Sequence, residues 1–148
     1  MGKELLQRAI NVPDSVGDGR RVKQEVVATF DFDAGHGLVT GDTIIGTIPA
    51  NALITGGYVE VLTTFTSPTA DTATIGIEAG TADLVVAVAI ATGTPWDAGV
   101  QAMVPVQTAA TAIKVGTADV GLIVDVGVEA ITAGKFIVVV EYTITGVA

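Results

Sequence analysis

His36, the single histidine of the sequence, is surrounded in the chain by carboxylates, with Asp31, Asp33 and Asp42 in the same twelve-residue stretch. Imidazole and carboxylate groups at that density can hold a divalent metal. The local pattern favours a plainer reading, because on a strand Asp31 and Asp33 share one solvent face, and Gly35 and Gly37 place His36 in a turn. Ser15 and Ser67 are the only two serines, and neither lies in a segment suited to a Ser-His-Asp triad. Gly17-Asp18-Gly19 and Gly80-Thr81-Ala82 lack the spacing of phosphate-binding loops, and the turns at Asp71, Asp83, Asp97 and Asp119 lack the spacing of a calcium loop. With no cysteine in the chain, thiolate catalysis, cysteine-ligated zinc and disulfides are excluded together. The expectation is a protein that is not an enzyme and carries no cofactor or metal.

Two groups remain that suit binding. Arg20-Arg21-Val22-Lys23 is a basic run, and Trp96 sits in a loop with Pro95 and Asp97. Three bases joined to an acidic chain make a poor nucleic-acid footprint and suit an acidic protein surface better. Trp96 is a candidate recognition loop for a sugar or receptor, or else the pin that fixes its loop to the core.

The elements that must position these groups divide near Lys23. Residues 1–23 hold five of the seven bases (Lys3, Arg8, Arg20, Arg21 and Lys23) against three acids, a net of +2, and residues 24–148 hold two bases against thirteen acids, a net of −11. The two sum to the formal charge of −9. Leu5, Leu6, Ala9 and Ile10 fall on one side of a short amphipathic helix, too short to be stable without a partner. Residues 1–23 therefore read as an extended arm, and residues 24–148 as a body.

In the body the period is two. Val26, Ala28, Phe30 and Phe32 alternate with Glu25, Thr29, Asp31 and Asp33. Further strands are predicted at Thr43–Ile48, at Ile54–Thr66 with a bulge or a close backbone approach at Gly56-Gly57, at Thr72–Ala79 and at Ala102–Gln107. Leu84–Ala91 suits either helix or strand. Val120–Val128 and Lys135–Thr145 alternate most clearly, with Ala133-Gly134 as the turn between them. Ile77–Asp83 is echoed thirty-six residues later by Ile113–Asp119, and each copy reads as a hairpin around Gly-Thr-Ala-Asp. About eight short strands with no room for crossover helices predict an all-β fold, an antiparallel sandwich or jelly-roll-like body. The longest apolar run, Leu84–Ala91, has eight residues against the ~18 needed to span a bilayer, and there is no signal-peptide pattern, so no membrane association is expected. Hydrophobic content of 49% that is not membranous points to subunit interfaces.

Ile48-Pro49-Ala50-Asn51-Ala52-Leu53-Ile54-Thr55-Gly56-Gly57-Tyr58-Val59-Glu60-Val61 and Ala133-Gly134-Lys135-Phe136-Ile137-Val138-Val139-Val140-Glu141-Tyr142 resemble segments of capsid decoration (cement) proteins of tailed bacteriophages. The resemblance implies a homotrimeric, non-enzymatic virion protein on the capsid exterior, made in the host cytoplasm and bound to the major capsid protein. It also implies that an N-terminal arm grips the shell, a role that would fall to Lys3, Leu5, Leu6, Arg8, Ile10, Arg20, Arg21 and Lys23. The alternatives are a tail, collar or head-fibre component, or a carbohydrate- or receptor-binding module using Trp96.

Overall fold

The computed structural model describes residues 22–37, 39–69, 71–92, 95–102 and 112–146, and the arm residues named above other than Lys23 lie outside these. Eight strands occur among the described residues: β1 (Gln24–Asp31), β2 (Gly41–Ile48), β3 (Ala52–Thr66), β4 (Thr74–Ala79), β5 (Ala82–Ala89), β6 (Gly99–Ala102), β7 (Val120–Gly127) and β8 (Ala133–Ile144). Short 3-10 turns follow β1 at Phe32–Ala34 and β5 at Ile90–Thr92. The strands form two four-stranded antiparallel sheets, ordered β1-β8-β3-β6 and β2-β7-β4-β5. This is the all-β sandwich that the alternation predicts.

Alternation decides which residues enter the core. In β1, Ala28 and Phe30 point inward, and in β7 Leu122, Val124 and Val126 do. In β8, Phe136, Val138, Val140 and Tyr142 do the same. These meet Ile54, Val59, Val61, Ile75, Ile77 and Leu84 in one continuous cluster with no buried polar or charged side chain among the described residues. Each such aliphatic or aromatic side chain contributes about 1.5–3 kcal/mol by leaving water.

Several expectations need correction. Leu84–Ala91 is strand rather than helix through Ala89, and its lack of strict period has a cause. Ile75 and Ile77 pair with Val88 and Val85, so β5 spans three residues where β4 spans two, and the bulge breaks the alternation. Val128 does not extend β7. It has φ 70, is 75% exposed, and the Glu129 N–H donates to the Gly127 carbonyl in a tight turn. The turn into β8 therefore precedes Ala133-Gly134, which are the first two residues of that strand. An edge strand, β6, begins at Gly99, and of the strand expected at Ala102–Gln107 only Ala102 lies within the described residues. The bulge at Gly56 is present as a register shift between Ile54 and Gly56.

Only the first of the two echoed segments forms a hairpin. Ala79 pairs with Ala82 around Gly80-Thr81, with Gly80 at φ +64 as a two-residue hairpin loop requires. The second copy runs beside the start of β3. Val115 N–H donates to Ala52, Ile54 N–H to Ile113 and Asn51 N–H to Gly116. Ile113 and Val115 are buried there, so packing against β3 overrides the turn chemistry.

Candidate interaction surfaces

The Asp31–His36 segment closes a turn. Asp31 caps the 3-10 turn by accepting from the Asp33 N–H at 2.9 Å, and His36 Nδ1 accepts from the Asp31 N–H at 3.0 Å. Asp31 Oδ2 also lies 3.5 Å from Lys135 Nζ, and the His36 ring packs 5.2 Å from Phe30. No group of three or more metal-ligating side chains occurs among the described residues. Ser67 is likewise occupied, its N–H donating to Asp71 and its hydroxyl accepting from Ala73 N–H.

Trp96 does not present a recognition platform. Its side chain is fully buried, with ring centroids 5.6 Å from both Phe65 and Phe136. The Phe65 N–H donates to the Trp96 carbonyl, so the loop is held at backbone and side chain together. The pin reading is the geometry that the residue adopts, because an indole enclosed by aromatic rings has no face left for a ligand.

The two outer faces of the sandwich differ in charge, although both carry exposed apolar side chains, Ile44 and Val86 among them on the β2-β7-β4-β5 sheet. On the β1-β8-β3-β6 sheet, Val27 pairs with Val139, which pairs with Tyr58, so one register row is apolar across three strands. The next row is Thr29, Ile137, Glu60 and Val100. Two ion pairs stand at the two ends of this sheet. Lys23 Nζ lies 2.9 Å from Glu141, which faces Glu25 across the ladder, and Lys135 pairs with Asp31. Lys23, the one residue of the expected gripping set that lies within the described residues, also links the start of β1 to β8; such an exposed pair contributes at most about 1 kcal/mol.

On the β2-β7-β4-β5 sheet, carboxylates stand directly opposite one another. Asp42 pairs with Asp125, and Glu78 with Asp83, in adjacent rows. Partial burial and the charges of Asp83, Asp125 and Asp42 raise the Glu78 pKa. A raised carboxyl holds its proton more tightly in the folded state, so wild-type stability falls as pH climbs above the ordinary carboxylate range. Glu78→Gln is therefore expected to raise Tm by about 1–2 °C at pH 7 and to lose that advantage near pH 4, with 0.5 M salt reducing it. An equal gain at both pH values, read by scanning calorimetry, would remove the electrostatic explanation.

No protein-family model matches the chain. No curated protein matches it in sequence. Among solved structures it is similar to a chain of the cyanophage Pam1 capsid asymmetric unit, with 17% identity and a TM-score of 0.57 over 84% of this chain and 86% of that one. It is also similar to a chain of the acidic stable capsid of Helicobacter pylori bacteriophage KHP30, with 13% identity and a TM-score of 0.52 over 86% of this chain and 97% of that one. The fold is shared with chains from two phage capsids. At these identities the likeness is one of fold.

The opposed carboxylate pairs and the apolar row were not singled out in the sequence. Their members come from strands far apart in the chain, and only the register brings them together. One signal was available, since Val27 interrupts the otherwise polar outer face of β1.

Proposed function

We propose that the protein is a structural, non-enzymatic component of a tailed-phage virion, a decoration protein that binds the major capsid protein on the capsid exterior as a homotrimer. The observation that carries this reading is the fold shared with chains of two phage capsid structures over more than four fifths of this chain. The strand order supports a jelly-roll reading of the body, since successive strands alternate between the two sheets except at the β4–β5 hairpin. The burial of Trp96 weighs against the carbohydrate- or receptor-binding alternative.

In this reading the basic, amphipathic residues 1–23 grip the shell, through Lys3, Leu5, Leu6, Arg8, Ile10, Arg20, Arg21 and Lys23, and the acidic body remains outside. A protein that binds only the assembled shell stabilises it by RT ln(1 + [L]/Kd) per site, and three linked arms raise avidity through effective concentration. Purified protein is expected to add back to expanded heads of its own phage and to raise their rupture temperature. A variant lacking residues 1–23 should lose at least about tenfold in head affinity while its body stays folded. Undiminished binding by that variant would overturn the role of the arm. Failure of the full chain to bind heads, together with binding to tails or collars, would move the protein to that part of the virion.

A further inference from the structure

We infer that the outer face of the β1-β8-β3-β6 sheet is the surface through which copies of this chain associate, leaving the acidic β2-β7-β4-β5 face to solvent. This rests on the homo-oligomeric reading above and adds to it the face that is used.

The first observation is apolar area in register. Val27 is 59% exposed, Tyr58 41% and Val100 67% on the outer side of one sheet; Val139, between Val27 and Tyr58 in the register, is itself buried, and Glu60 stands between Ile137 and Val100. Grouped apolar exposure of this kind marks an interaction site, whereas scattered apolar residues do not.

The second observation is charge, which selects the partner. A second copy brings the same net charge of −9, so it cannot approach through a face that doubles the carboxylates of Asp42, Glu78, Asp83 and Asp125. No Lys or Arg occurs in β2, β7, β4 or β5 to offset them. On the opposite face Lys23 and Lys135 offset Glu141 and Asp31, which leaves Glu25 and Glu60 there against the four carboxylates of the acidic face. A basic partner would choose the acidic face; a copy of this acidic chain is directed to the other one.

Four strands at ~4.8 Å and about six residues at ~3.4 Å give a face of roughly 400 Å² in projection, about half of what one partner contributes to a stable interface. Neighbouring loops must supply the remainder, and an association this small, with Glu60 already on the face, is expected to fail when a further charge is added at Val27 or Val100.

Val27→Glu and Val100→Glu should each reduce the mass measured by light scattering after size exclusion from a multiple of the chain to the single-chain 14.9 kDa, with an unchanged circular dichroism spectrum. Ile44→Glu, on the acidic face, should leave the mass unaltered. Because the chain has no cysteine, a gentler version avoids any folding defect. In the assembled protein, the thiol of Val100→Cys should react with maleimide about tenfold more slowly than that of Ile44→Cys. Equal reactivity of the two thiols would overturn the inference, as would dissociation by Ile44→Glu alone. A monomeric wild-type protein that still binds heads would overturn it and leave the decoration role standing. An oligomer that assembles through this face but never binds heads would do the reverse. If Val100→Glu remains oligomeric and loses head binding, the face belongs to the shell and the inference fails.

Discussion

Phe136→Ala should lower folding stability by about 3–5 kcal/mol, a large part of the roughly 5–15 kcal/mol that holds a domain together. Phe136 is fully buried in β8 and stacks on Phe30 at 5.4 Å, with Phe65 at 5.8 Å and Trp96 at 5.6 Å. Truncation removes a ring that touches all three of the others, and the rings left behind are fixed to three different strands or loops and cannot close the void. Urea unfolding should show a lower midpoint at unchanged slope, because the surface exposed on unfolding hardly changes. Phe136→Leu should cost much less, since most of the volume is retained. A loss below about 1 kcal/mol for Phe136→Ala would mean that these rings are not packed as described.

Gly134→Ala should cost about 2–4 kcal/mol through two separable effects. The residue has φ +144, which an L side chain rarely adopts, and an added Cβ would fall on the Phe65 ring. Gly41 separates the two effects. Its φ is +122 but nothing lies within 4 Å of an added Cβ, so Gly41→Ala bears the backbone strain alone. The difference between the two variants in thermal melts therefore measures the collision with Phe65, and adding Phe65→Leu to Gly134→Ala should recover part of it. Equal losses for Gly134→Ala and Gly41→Ala, with no recovery, would show that Phe65 does not press on this strand.

The inward sets of β1, β7 and β8 were legible because alternation is local and each of these strands has one buried face. Where reading along the chain failed, the deciding contact came from elsewhere. Val128 continues the rhythm of β7, yet the Gly127–Glu129 turn takes it out to solvent. Ala133-Gly134 has the composition of a turn, but the glycine is there because Phe65 lies over it. The second Gly-Thr-Ala-Asp copy matches the first in type, while Ala52 and Ile54 hold its approach to β3 and Asp119 accepts from the Ala50 N–H. As for the candidate surfaces, single residues could be recognised as exposed or charged. Their grouping into an apolar row and opposed carboxylates depends on which strands are neighbours, and hydrophobic period does not encode that.

The position of β8 between β1 and β3 sets a schedule for synthesis. The sheet that contains the first strand, Gln24–Asp31, has its middle filled by Ala133–Ile144, so β1 and β3 have no ladder between them until that distant segment has been made. Pairing over such separations is slow, and unpaired strands are prone to aggregate while they wait. Nascent chains on the ribosome should therefore gain protease resistance late and in one step, after Ile144 has emerged. A ribosome stalled before β8 would hold β1 to β7 and no finished sandwich.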